Sequence, residues 1–325
     1  MVKVLLVDPA LADLAGRFAA RMPDGVDVVA VTSFGEAEFR NAAADATIFI
    51  DARRPIGATE LAMAPNLRFV QMIGAGTDPL DRAALAEAGV VAAYNPGVNR
   101  TGAAEQTIML MLALIKRQAQ SERQTRAGQF APGEIIAAGI DDLADATVGI
   151  VGMGHIGQAV AQRLFPFGSR LTYHARNPVP EIERSCGAVR LPLNELLSSS
   201  NIVSLHIPLT PETYHVIGRP ELAAMPVGSW LVNAGRGGLV DETALREAVA
   251  SGHIAGAGLD VLEHETDGTN PFADVPEVIV TPHLGGASRN SMTATIERCG
   301  ANITRFLAGE PIHDPVAADQ PASAR

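Results

Sequence analysis

Short, nearly unbroken apolar runs alternate with stretches of helical periodicity along most of this sequence. In the first part they fall at residues 2–7, 26–31, 46–50, 69–73 and 90–93, and in the middle at 148–151, 171–174, 202–206, 230–234, 255–260 and 278–281. A strand that is apolar on both faces needs cover on both, which parallel strands obtain from the helices that connect them. The pattern therefore predicts an α/β protein with two doubly wound parallel sheets. The segment from Thr101 to about Ala127 contains Ile108-Met109-Leu110-Met111-Leu112-Ala113-Leu114-Ile115 and turns polar from Lys116 to Arg126. A helix apolar on every side is expected to be buried all round, and this one is expected to cross between the domains and carry an arm outward. Residues 128–145, with Pro132-Gly133 and Gly139, read as loop-rich. A helical stretch at 288–306 is expected to return to the first sheet. That makes one domain discontinuous, 1–98 with 287–325, against 99–286 for the other. The final residues, 314–325, rich in Ala, Pro and Asp, read as frayed.

The run Val148-Gly149-Ile150-Val151-Gly152-Met153-Gly154-His155-Ile156-Gly157 is a buried strand breaking into a G-x-G-x-x-G turn before a helix pattern at 158–164. Gly152 permits the tight turn, Gly154 lets a pyrophosphate approach the backbone, and Gly157 lets the helix pack close to the strand. The helix N-terminus offers unpaired N–H groups and a positive dipole end. The flanking strand and helix make this a dinucleotide site rather than a glycine-rich turn without a ligand.

Composition narrows the function classes. The 325 residues fit two domains, and 47% hydrophobic with 19% charged is ordinary for a folded protein. A formal charge of -11 leaves no basic field for nucleic acid or an anionic membrane. Cys186 and Cys299 fit no metal spacing and read as buried or free thiols in a reducing compartment. The N-terminus reads as a strand, not a signal peptide, and the apolar stretch 107–115 is too short to span a bilayer. A cytoplasmic enzyme is the expectation.

Three segments after the glycine turn place polar groups at the carboxyl ends of predicted strands, where doubly wound sheets bind ligands. Asn233-Ala234-Gly235-Arg236-Gly237-Gly238 delivers an arginine, whose planar fork suits a carboxylate. Leu259-Asp260-Val261-Leu262-Glu263-His264-Glu265 ends the strand on Asp260 and places Glu265 five residues on. Thr281-Pro282-His283-Leu284-Gly285-Gly286 brings a histidine, the side chain suited to proton transfer near neutrality. The other histidines lack such neighbours and read as structural, His206 least firmly.

The order GxGxxG, N-x-x-R-G, L-D-V-x-x-x-E and T-P-H-x-G-G resembles the D-isomer-specific 2-hydroxyacid dehydrogenases. The resemblance runs from about Ala46 to Glu310 and includes Ile73-Gly74-Ala75-Gly76-Thr77-Asp78, Asn95-Pro96-Gly97-Val98-Asn99, Ala104-Glu105 and His206-Ile207-Pro208-Leu209-Thr210. It implies a Rossmann dinucleotide-binding domain, a flavodoxin-like substrate domain, and a cleft between them. It places the catalytic trio on Arg236, Glu265 and His283, with substrate carboxylate binding by Arg236 and the backbone N–H groups of Ala75 and Gly76. It places Thr101, Ala234 and Asp260 around a nicotinamide, beside the phosphate turn of Gly152, Gly154, His155, Ile156 and Gly157. The implied reaction reduces a small 2-oxo acid, such as glyoxylate or hydroxypyruvate, to a D-2-hydroxy acid without a metal, in a homodimer.

Departures from the family matter at one position. Counting 18 residues from Gly157 reaches Ala175, where NAD-specific members carry an acid, and Arg176 follows. Losing the carboxylate and gaining a guanidinium suits a 2′-phosphate, so NADP(H) is expected over NAD(H). The alternative is that Arg176 stacks on adenine and NAD still binds. Thr266 replaces a common proline beside Glu265. A dinucleotide-sensing binding protein, corepressor-like on this fold, is the rival reading, opposed by the intact Arg236, Glu265 and His283. A formate dehydrogenase would pair its histidine with glutamine, phosphite oxidation needs a lysine that residues 73–78 lack, and a phosphoglycerate dehydrogenase with a regulatory domain would be longer. Arg53 and Arg54, in the loop after residues 46–50, are either contacts for a distal substrate group or two solvated charges.

Overall fold

The computed structural model describes residues 1–317. The chain divides into two compact units, Met1–Asn99 with Ser288–Arg325, and Arg100–Ala287.

In the first unit, strands β1 (Val2–Leu6), β2 (Val26–Ala30), β3 (Ile48–Asp51), β4 (Phe69–Met72) and β5 (Val91–Ala93) pair in parallel in the order β2-β1-β3-β4-β5. This is the flavodoxin-like order. The inner strands β3 and β4 are buried at every residue, while edge strand β2 is only partly covered. Helix Arg289–Leu307 packs on this sheet. Ile296, Cys299 and Ile303 pack with Val4, Leu6, Ile48 and Phe69, and Phe306 stacks on Phe69 at 4.8 Å. Buried Asn302 donates from Nδ2 to Gln71 Oε1 at 2.8 Å and accepts the His313 N–H at 2.8 Å.

The fraying expected from residue 314 onward does not begin there. Asp314 pairs with Arg298, Pro315 bridges Ala93, and the Val316 N–H donates to Ala92 O at 2.8 Å. Composition suggested a loose end, but β5 offers an open backbone edge and the chain uses it. The rest of that expectation, 318–325, lies outside the described residues.

The second unit holds β6 (Thr147–Val151), β7 (Arg170–His174), β8 (Val189–Arg190), β9 (Ile202–Leu205), β10 (Ser229–Asn233), β11 (Ile254–Leu259) and β12 (Val278–Val280). They pair in parallel in the order β12-β11-β10-β9-β6-β7-β8, the Rossmann arrangement with its reversal between β6 and β9. Strand β8 was not anticipated. It is two residues long, both exposed, so it carries no apolar run.

Helix Arg100–Ile115 seats Ala104, Leu110, Met111 and Leu114 in the core of this unit with Val148 and Ile150. The expectation of burial all round fails on one side. Met109 is 41% exposed, and Ile108, Met109 and Leu112 line a hollow with Lys116 and Phe167. The uniform apolarity of the helix therefore covers an outer face as well as a core face. The helix stops at Lys116, and Arg117 takes a left-handed φ of 50° before a separate helix, Gln118–Arg126. The stretch read as loop contains a further short helix, Pro132–Ala137. Neither outer helix buries a residue, while Phe130 and Ile136 stand exposed at 93% and 65%. Among the described residues no helix is long and apolar enough to cross a membrane. Both cysteines are buried free thiols.

Candidate active site

The glycine turn has the shape its sequence requires. Gly152 adopts φ 100°, and a Cβ there would lie 2.5 Å from His206 O. A Cβ on Gly157 would lie 2.0 Å from Gly152 O, so only glycine lets the helix begin this close to the strand. A Cβ on Gly154, in contrast, would meet nothing within 4 Å. Gly154 and His155 are exposed, and helix His155–Leu164 starts without a side-chain cap. Its first-turn N–H groups thus face an open approach, and the turn lies where the strand order reverses. The residues present fit a dinucleotide pyrophosphate. His206, across the turn, is held neutral: burial pushes its imidazole down to about 4, and Nε2 lies 2.8 Å from Ser204 Oγ. That suits a structural histidine.

Three neighbouring strands end beside one another and carry the polar groups. In β10, β11 and β12 the register sets Asn233 against Leu259 and Leu259 against Val280. Ala234 and Arg236 follow β10, Asp260 and Glu265 follow β11, and His283 follows β12. The Arg236 turn is locked by Asn233, whose Nδ2 donates to Arg236 O at 2.9 Å and whose Oδ1 accepts the Gly235 N–H at 3.0 Å. Arg236 Nη1 donates to Gly235 O at 2.9 Å.

His283 and Glu265 meet. The imidazole Nδ1 lies 3.0 and 3.1 Å from the two carboxylate oxygens, with both side chains about three-quarters buried. His283 takes a left-handed φ of 55°, a strained setting for a side chain of this size. Its backbone N–H donates to Asp260 O at 2.8 Å.

Asp260 builds this turn. It is 1% exposed, and its carboxylate accepts from Thr281 Oγ1 at 2.5 Å, Gln106 Nε2 at 3.2 Å, and the N–H groups of Leu284 at 2.9 Å and Gly285 at 2.7 Å. The sequence marked Asp260 as a strand-end carboxylate, and the family resemblance as a neighbour of the nicotinamide. Its hold on the turn around His283, with Gln106 and Thr281 as partners, rests on contacts between residues far apart in the chain.

In the first unit, Ala75 and Gly76 follow β4, and Ala75 is exposed. Their loop is shaped by buried Asn95, whose N–H donates to Gly74 O at 2.8 Å and whose Nδ2 donates to Ile73 O at 3.2 Å. Arg53 and Arg54 are not two solvated charges. Arg53 binds the buried carboxylate of Asp8 through Nε and Nη2 at 2.8 and 2.9 Å. Arg54 is 7% exposed, donates from Nε to Val7 O at 3.0 Å, and lies 4.3 Å from the Phe39 ring centroid. The carboxylate at the end of β1 and the aromatic rings take up both guanidinium groups. Nothing in these contacts assigns Arg54 to a substrate.

Beyond β7, Ala175 stands half-buried and Arg176 exposed. Arg190, on β8, donates to Ala175 O at 2.9 and 3.1 Å and to Arg176 O at 2.7 Å, so this loop is braced from the strand the sequence hid.

Comparison with known proteins agrees with this architecture. Residues 108–285 match the family model of the D-isomer specific 2-hydroxyacid dehydrogenase, NAD binding domain. The chain is 37% identical over 259 residues to a glyoxylate reductase of Korarchaeum cryptofilum, covering 79% of this chain and 78% of that protein. It is 38% identical over 249 residues to glyoxylate/hydroxypyruvate reductase B of Pectobacterium carotovorum, covering 76% and 78%. Among solved structures it is similar to the TT0316 protein of Thermus thermophilus, with TM-score 0.83 and 34% identity over 98% of this chain and 100% of that one.

Proposed function

We propose, from the premise that this chain belongs to the D-isomer-specific 2-hydroxyacid dehydrogenases, that it reduces a small 2-oxo acid to the D-2-hydroxy acid with a nicotinamide coenzyme. Glyoxylate and hydroxypyruvate are the first substrates to consider, since similar proteins carry those names. The contact between His283 Nδ1 and Glu265 carries the reading. A carboxylate on Nδ1 orients the ring and leaves Nε2 as the atom that gives its proton to the developing alkoxide. Arg236 pairs with the substrate carboxylate and polarises the ketone. The amides of Ala75 and Gly76 are further donors to that carboxylate, on the family pattern. Gly152, Gly154, His155, Ile156 and Gly157 hold the pyrophosphate, and Thr101, Ala234 and Asp260 border the nicotinamide. The bound coenzyme supplies the hydride.

NADP(H) is proposed as the preferred coenzyme. Ala175 presents no carboxylate to a 2′-phosphate, and Arg176 brings a guanidinium beside it. A charge-assisted contact worth about 1.5 to 3 kcal/mol corresponds to roughly ten- to a hundredfold. A panel of 2-oxo acids assayed with both coenzymes tests the whole reading. Turnover with NADPH at a higher kcat/KM than with NADH is expected. A preference for NADH would overturn the coenzyme choice, and coenzyme binding without any turnover would favour a sensing role.

A homodimer through the second unit is also proposed. The uncovered face around Met109 and the outer helices with exposed Phe130 and Ile136 are apolar surface of the kind a second copy covers. A monomer mass by light scattering at micromolar protein would refute it.

A further inference from the structure

A second histidine–carboxylate contact lies beside this machinery and takes no part in the proposed reaction. Glu263 stands two residues before Glu265. Its Oε1 accepts a hydrogen bond from Tyr214 Oη at 2.5 Å, and its Oε2 lies 3.3 Å from His215 Nε2. The two rings stack, with centroids 3.9 Å apart and planes at 17°. From the other side, the Glu263 N–H donates at 2.8 Å to the carboxylate of Glu242, at the start of helix Glu242–Ala250. The loop leading to Glu265 is thus held at both its side chain and its backbone.

The same histidine also holds the arginine turn. The His215 N–H donates to Gly238 O at 2.8 Å, two residues after Arg236, and His215 keeps a left-handed φ of 51° while doing so. A Cβ on Gly237 would lie 2.0 Å from the Leu262 carbonyl carbon, so the two loops are in backbone contact here. His215 therefore touches both loops that carry the proposed catalytic groups. Its strained backbone is the local sign that the arrangement is imposed by its surroundings.

We propose that His215 and Glu263 form a clamp between the loop carrying Glu265 and the turn carrying Arg236. They act as positioning residues for the His283–Glu265 pair. The inference rests on the assignment of that pair as the proton donor and its orienting carboxylate.

The test is a double-mutant cycle read by kcat for 2-oxo acid reduction and by coenzyme Kd from fluorescence titration. Glu263→Gln alone is expected to lower kcat about tenfold with the coenzyme Kd changed less than twofold. On a Glu265→Gln background it should cost less than a further twofold, because it acts through Glu265. His215→Asn, which tolerates a left-handed backbone, should reproduce this and serves if Glu263→Gln fails to fold. Equal losses on both backgrounds, no loss on either, or a Kd that weakens in step with kcat would each overturn the clamp. Wild-type kcat in Glu265→Gln itself would overturn the underlying assignment, and the clamp with it.

Discussion

Asp51→Asn isolates a buried charge. Asp51 ends β3 and is fully buried. Its Oδ1 accepts the Arg54 N–H at 3.0 Å, while Oδ2 has no hydrogen-bond partner. The nearby carboxylate of Asp8 adds repulsion and is itself engaged by Arg53. Burial is the main cause that pushes the Asp51 carboxyl from 3.8 up to about 7. A carboxyl with a raised value in the folded state binds its proton more tightly folded than unfolded. Stability then falls as pH rises, beginning near the unfolded value and levelling off above about 7. At about 1.4 kcal/mol per pH unit, the loss approaches about 4 kcal/mol at pH 8. Asparagine keeps the Oδ1 acceptor and carries no charge to desolvate. Urea unfolding followed by circular dichroism should therefore give similar midpoints for the two proteins near pH 4. The variant should gain progressively up to pH 8. Parallel pH dependences would refute the reasoning.

His206 should show the opposite slope. Its neutral burial, down to about 4 from 6.5, means stability is lost as pH falls through that window, so His206→Gln should flatten the acid limb of a melting profile; an unchanged limb would count against it. Gly157→Ala forces a methyl group against Gly152 O and should weaken coenzyme binding at least about tenfold in a fluorescence titration. An affinity within twofold of wild type would mean the turn does not bind the pyrophosphate closely. Arg236→Ala should impair both kcat and KM, since an ion pair with the substrate carboxylate exists before and during the reaction.

Both sheets were legible because their strands are apolar on both faces, as buried parallel strands must be. Strand β8 was not, because an exposed two-residue edge has no apolar signature. The helix at Arg100–Ile115 was legible as a helix, but periodicity cannot tell a core face from an outer face when both are apolar. Its end at Lys116 depends on the left-handed Arg117, for which no glycine gave warning. Arg236, Glu265 and His283 stood out because each follows a strand end within a recognisable run. The partners that fix them did not. Asp260 and Gln106 are separated by more than a hundred residues, as are Asn302 and Gln71, and such pairs follow from topology rather than spacing. Arg53 and Arg54 misled for the same reason: Asp8 and Val7 come to them when β1 and β3 pair, and Phe39 comes from the helix Glu36–Ala43.

The central claim is that His283, oriented by Glu265, gives the proton as a 2-oxo acid is reduced. Steady-state oxidation of NADPH by glyoxylate, followed at a single pH for wild type and His283→Ala with coenzyme Kd measured alongside, tests it most directly. The expected result is a fall in kcat of about a hundredfold or more with Kd essentially unchanged. Turnover near the wild-type rate in His283→Ala would contradict it.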